Sequence, residues 1–242
     1  MQDTQLTSLS GLASELQKAI TTAAGNGDGS SLMSTANDIF DQAAQILNST
    51  DSSGNYIYAG QTADRKPFTA TSLASLGGSP PPAVSSFFQN GTQKKSVVTG
   101  DGQTVQIGVL ASDVGTQLMT ALQDLVQADS PSGSLGGQFT SAQSTTLTTN
   151  VLPAAATAAT SLNAATAQNG EVYQRLQDTV TTQESLSTMY AGFVSNIEDA
   201  DMSKAVINLN QDQVALQAAL QVTAKLGQIS LLNYLPATSA TG

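Results

Sequence analysis

Carboxylates have the strongest claim to acid–base chemistry in this chain, because its 242 residues include neither histidine nor cysteine. The commonest nucleophile–base pairs and histidine-based metal sites are therefore ruled out. Two carboxylates can still hydrolyse a glycosidic bond unaided. The candidates are Asp38 with Asp41, and Glu198 with Asp199 and Asp201. Acidic runs of this kind are usually solvated helix faces or helix boundaries, and both sets read that way. Asp51-Ser-Ser-Gly-Asn55 has a faint look of a calcium loop. Such a loop needs glycine at its sixth position and a bidentate glutamate at its twelfth. Here Gly54 is fourth and Thr62 twelfth, so an Asx-type turn is the better reading. Gly25-Asn-Gly-Asp-Gly29 and Gly100-Asp-Gly102 lack the Lys-Ser/Thr ending of a phosphate loop and read as turns. No cofactor or metal site is expected.

The elements that would position these groups point away from a reaction. From Ala154 onward, steps of three and four give Ala158, Leu162, Ala165, Asn169, Val172, Leu176, Thr179, Gln183, Leu186, Tyr190, Phe193 and Ile197. That is the stripe of a long amphipathic helix. Unbroken from Ala154 to Ile197, it would extend roughly 66 Å at 1.5 Å per residue, as a rod that needs partners along its stripe. Glu198-Asp-Ala-Asp201 interrupts the pattern, so a further helix is expected over about 202–232. It carries Val206, Leu209, Leu216, Leu220 and Leu226. Ile229, Leu231, Leu232, Tyr234 and Leu235 follow at an end unusually apolar for a free terminus, which suggests docking. These ten residues form the expected assembly interface. Residues 236–242 are expected to be disordered.

Upstream, Leu6, Leu9, Ala13, Leu16, Ile20 and Ala23 predict a helix over 3–24, stopped by the glycines of 25–29. Met33, Ala36, Phe40, Ala43 and Leu47 predict a second, capped by Ser30 or Ser31. The short link favours an antiparallel hairpin, and the pair against the long helix makes a three-helix bundle. Prolines and glycines punctuate 61–110, where the helical period vanishes, and 56–110 reads as a small β-rich insertion. Ser96–Thr99 and Thr104–Val109 around Gly100-Asp-Gly-Gln103 signal a β-hairpin. Arg65-Lys66 beside Pro67-Phe68 reads as an exposed loop with Phe68 tucked onto the bundle. Helix returns over 112–128; 139–152 is ambiguous, and Pro153 marks a break or the first turn of the long helix. The fold expected is mainly α: an elongated antiparallel helical bundle with long carboxy-terminal helices and a small β-rich insertion. The segments are 1–55 (two amino-terminal helices of the rod), 56–111 (β-rich insertion), 112–138 (helix and loop returning to the rod), 139–198 (long helix of the rod) and 199–242 (terminal assembly helix and tail).

A formal net charge of −10, with eight scattered basic residues, argues against nucleic acid and anionic membrane. No apolar run is long enough to span a bilayer. The absence of cysteine suits a bacterial protein that leaves the cell, and Met1–Gln5 lacks the features of a cleavable signal peptide.

Asp199–Leu220, followed by Leu226-Gly-Gln-Ile-Ser-Leu-Leu-Asn-Tyr-Leu235, resembles the carboxy-terminal signature of the flagellin superfamily of bacterial axial proteins. The family pattern is an acidic dipeptide, an "aLQA" core and a "QlSLLnYl" ending. Asp51–Phe68 resembles the "GnYiFAG…T…PF" segment of the hook–filament junction branch, also called hook-associated protein 3. Thr104-Val-Gln-Ile-Gly-Val109 resembles the same branch's "vqIGv" stretch. The resemblance implies a structural, non-enzymatic flagellar protein that self-associates into a ring between hook and filament. The implied partners are the first hook-associated protein, flagellin and a flagellar export chaperone. It also implies type III export and an extracellular place in the flagellum. A filament flagellin is the alternative; a carboxylate-dependent hydrolase is a distant one, and a secreted helical adhesin rests only on the insertion loops. The family begins with a long amino-terminal helix, so a segment before Met1 is expected to be missing.

Overall fold

The structure is a computed structural model that describes the backbone of residues 2–100, 102–129 and 134–233, and their side chains except those of 199–201 and 229–233. The readings placed on Tyr234, Leu235 and 236–242 lie outside the described residues. The chain divides into two units, residues 1–179 and 180–242.

The first unit is built on helices whose apolar positions recur every three or four residues. Helix α1 (Gln2–Asn26) buries Leu6, Leu9, Leu12, Ala13, Leu16, Ile20 and Ala23. Helix α2 (Leu32–Leu47) buries Leu32, Ala36, Ile39, Phe40, Ala43 and Leu47. The turn between them closes by backbone geometry rather than by the serine cap expected at 30 or 31. Gly27 sits at φ +67°, and the Asp28 N–H donates to Ala23 O at 3.1 Å. That is a Schellman ending, which requires a left-handed residue that glycine adopts without steric cost. Ser31 makes no side-chain cap. Instead Asp28 Oδ1 accepts the Ser30 N–H at 2.8 Å. Gly29 is obligatory for another reason, since a Cβ there would overlap the Leu135 carbonyl and the Phe139 ring.

Helix α3 (Ala111–Asp129) adds Val114, Leu118, Met119, Leu122 and Leu125 to the same core. Helix α4 (Ser141–Thr146) opens with a capping box, in which the Gln143 N–H donates to Thr140 Oγ1 and Gln143 Oε1 accepts the Thr140 N–H. A π turn over Leu147–Val151 then leads into α5 (Leu152–Asn233). Pro153 therefore does not break the helical path. Proline offers no N–H, and in a wide turn carbonyls find donors five residues on, as the Leu152 N–H does with Leu147 O. Val151, Ala155, Ala158 and Leu162 join the core, and among the described residues the last buried apolar side chain is Leu162. Thus α3 and the 141–162 stretch complete the bundle begun by α1 and α2.

Between α2 and α3 the chain is mostly irregular. Strands β1 (Lys95–Val98) and β2 (Thr104–Ile107) form the expected hairpin, with Lys95 opposite Ile107 and Val98 opposite Thr104. The rest is fastened by side chains. Asn48, which caps α2, donates its Nδ2–H to Phe68 O and accepts the Phe68 N–H at Oδ1, both at 3.0 Å. Phe68 is fully buried, its ring 5.1 Å from Phe88, 6.0 Å from Phe40 and 6.5 Å from Phe87. Arg65 and Lys66 stay exposed beside it, as expected.

Asp51 organises the turn that enters this segment. Its Oδ1 accepts the N–H groups of Ser53 at 2.8 Å and Asn55 at 3.0 Å. The hydrogen bond from the Asn55 backbone is the main reason its carboxyl is held below the ordinary value, with help from Ser53, the Asn55 side chain and the charge of Lys95 against partial desolvation. A depressed folded pKa stabilises above the unfolded pKa, and that stabilisation is lost as pH falls through the folded value. Acidification below the ordinary carboxylate range is therefore expected to release this turn. Amide exchange at Ser53 and Asn55 should rise there in the wild type, and an Asp51→Asn variant should show no such step.

Tyr58 is also fully buried, and its hydroxyl finds no hydrogen-bond partner among the described residues. Burial pushes that phenol well above its usual range. An orphaned buried hydroxyl costs about 1–3 kcal/mol. Tyr58→Phe is accordingly expected to raise stability by about 1 kcal/mol, read as a higher urea midpoint with an unchanged slope.

Candidate assembly interface

The carboxylates do not converge. Asp38 and Asp41 lie on the exposed face of α2. The side chains of Asp199 and Asp201 fall outside the described ones, and Glu198 is exposed on α5. Among the described residues no three acidic side chains cluster to hold a metal ion. Asp51 spends its carboxylate on its own turn. Clefts of the first unit lie beside the amino-terminal end of α1 and the hairpin, one of them about 720 Å³ and lined by Ile107, Tyr173 and Leu176 among others. Lys94 and Asp113, 3.4 Å apart, form the ion pair nearest to them, and both are partly exposed.

Burial changes along the long stripe. Ala158 and Leu162 are buried; Ala165, Asn169, Val172, Leu176 and Thr179 are half-buried. In the second unit every described side chain from 180 to 228 is exposed. These positions are not polar. Leu186, Tyr190, Phe193 and Ile197 continue the stripe at the same spacing with no cover. The expected interface residues Val206, Leu209, Leu216, Leu220 and Leu226 are 53–62% exposed. Ile229, Leu231 and Leu232 lie on or near the same helix end, but their side chains fall outside the described ones.

Two features differ from the sequence reading. The acidic run Glu198–Asp201 is not a helix boundary: α5 passes through it without interruption. Four charged or small residues carry little helix-breaking force without glycine or proline, so the run changes the pattern and not the backbone. At about 100° per residue, Leu186–Ile197 and the Met202–Leu220 set lie roughly 150° apart around the helix. Val222 and Leu226 fall back on the first face. The exposed apolar surface also includes Met202, Ile207, Val214 and Val222, which reading a single stripe passed over. A helix apolar on several sides is one that must be covered on several sides. Among the described residues no helix is long and apolar enough to cross a membrane.

Comparison with known proteins bears on this same helix. Residues 152–235 match the bacterial flagellin C-terminal helical region. No curated protein matches the chain. Among solved structures, the crystal structure of Bacillus cereus FlgL is similar, with 15% identity and a TM-score of 0.47 over 78% of this chain and 91% of that one. The match covers α5, including the exposed apolar side chains of residues 180–228, and shows that this helix is similar to the carboxy-terminal helical region of bacterial flagellins.

Proposed function

We propose that this chain is the junction protein that joins the flagellar hook to the filament, assembling as a ring of identical copies through α5. The observation that carries the reading is the apolar surface of residues 180–228, exposed along its whole described length. Burying such surface is worth about 25 cal/mol per Å². Its two faces, set about 150° apart, suit a helix held between different neighbours, as in heterologous contacts that build rings and tubes. Val206, Leu209, Leu216 and Leu220 supply one seam; Leu226, with Ile229, Leu231, Leu232, Tyr234 and Leu235, extends the contact toward the end of the chain. The partners in this reading are further copies, the first hook-associated protein, flagellin and an export chaperone. The chain would leave the cell through the flagellar type III channel.

The segment Asn55–Phe68 favours junction protein over flagellin, because the residues that resemble the junction branch build a fixed structural device. Tyr58 and Phe68 are its buried anchors, and Asn48 pins its far end to α2. Deleting the gene discriminates the two. A junction protein leaves bare hooks and flagellin shed into the medium. Hooks still carrying junction proteins, with no flagellin shed, would identify the chain as flagellin instead. A version ending at Asn196 should fail to restore filaments; normal incorporation would contradict the role given to the end of α5.

A further inference from the structure

Asparagine is followed by glycine three times, at Asn26, Asn90 and Asn169. Glycine leaves its own backbone nitrogen unshielded, so at such a step that nitrogen can attack the preceding carboxamide. The fold treats the three differently. Asn90 is locked: its Nδ2–H donates to Gly91 O at 2.9 Å and Ser112 Oγ at 3.0 Å, and its Oδ1 accepts the Ser112 N–H at 3.1 Å. Asn169 lies well inside α5, where helical backbone holds the Gly170 nitrogen away from the carboxamide. Asn26 is the last residue of α1 and is exposed. Its carboxamide makes no hydrogen bond among the described residues. Gly27 follows at φ +67°, in the terminal turn of a helix, where backbone hydrogen bonds open most easily.

We infer that Asn26 is a site of spontaneous deamidation and isoaspartate formation in the folded protein. The Gly27 nitrogen loses its proton to solvent and attacks Asn26 Cγ. The Cγ–Nδ2 bond breaks and the nitrogen leaves as ammonia, closing a five-membered imide. Water then opens the imide at either carbonyl, giving aspartate or isoaspartate, with nothing oxidised or reduced. Both products place a carboxylate at the carboxy-terminal end of α1, where the helix dipole opposes it. Isoaspartate also lengthens the backbone just before Gly27. The Gly27 carbonyl accepts the Phe139 N–H at 2.7 Å, and the Gly29 N–H donates to Gly137 O at 3.0 Å. The modification therefore loosens the hold of the α1–α2 link on residues 137–139.

Ageing the full chain at mildly alkaline pH, followed by peptide mapping and ammonia release, tests this. Position 26 should convert several-fold faster than 90 or 169 in the folded protein, and Asn26→Gln should remove most of the released ammonia. In concentrated urea the three positions should convert at similar rates. Equal conversion in the folded chain, or a preference for position 26 that persists in urea, overturns the inference.

Discussion

Replacing Leu216 and Leu220 by aspartate is expected to abolish incorporation into the flagellum while leaving the bundle of residues 1–179 as stable as before. The two leucines are four residues apart on one face of α5, and both are 62% exposed. In the isolated chain an aspartate there meets only water, so the change falls in the range of ordinary surface substitutions, within about 0.5 kcal/mol. In an assembly each leucine contributes about 1.5–3 kcal/mol of burial. The aspartates would forfeit that and bring an unpaired charge into an apolar seam, at a further cost. The loss recurs at every copy of the contact, so incorporation should fail outright. Thermal melting of the purified variant beside a motility and electron-microscopy assay separates the outcomes. Normal filaments would remove this face from the interface, and a sharp fall in melting temperature would mean the seam packs within its own chain.

Much of this was legible from spacing. Leu6 to Ala23 and Met33 to Leu47 announce α1 and α2 because a helix buries one face, and burial demands a repeat near 3.6. The hairpin was legible because Gly100–Gln103 sits between two β-branched runs. The apolar positions of residues 180–228 were legible for a related reason, since the three-four spacing runs on past Leu162. What failed were inferences from interruption. The carboxylates of Glu198–Asp201 looked like an ending, but helical hydrogen bonds do not depend on whether side chains are apolar. Pro153 stands in the first turn of α5, one of the two places the sequence offered it, while the π turn before it cannot be anticipated from one proline. The capping box at Thr140 and Gln143 lay in a stretch with too few apolar positions to show a period. Between α2 and α3 the order comes from single contacts, such as Asn48 with the Phe68 backbone, which carry no periodic signal at all.

That last kind of contact yields the largest expected effect on stability. Phe68→Ala should cost about 3–5 kcal/mol, the range for removing a fully buried phenylalanine. The ring touches three other aromatic rings, from α2 (Phe40) and from the Val84–Phe88 turn (Phe87, Phe88). Collapse around the void is hindered because the Phe68 backbone is fixed twice over, by Asn48 and by its bridge to Phe88. Asn48→Ala attacks the same junction from the polar side. It strands a buried N–H and a buried carbonyl, each worth about 1–3 kcal/mol when left unpaired. Because both changes release one segment, their effects should not add: the double variant should lose clearly less than the sum. Urea unfolding of the two single variants and the double one measures this directly. Strict additivity would mean that Asn48 and Phe68 act separately and that residues 56–68 are held on α2 by something else.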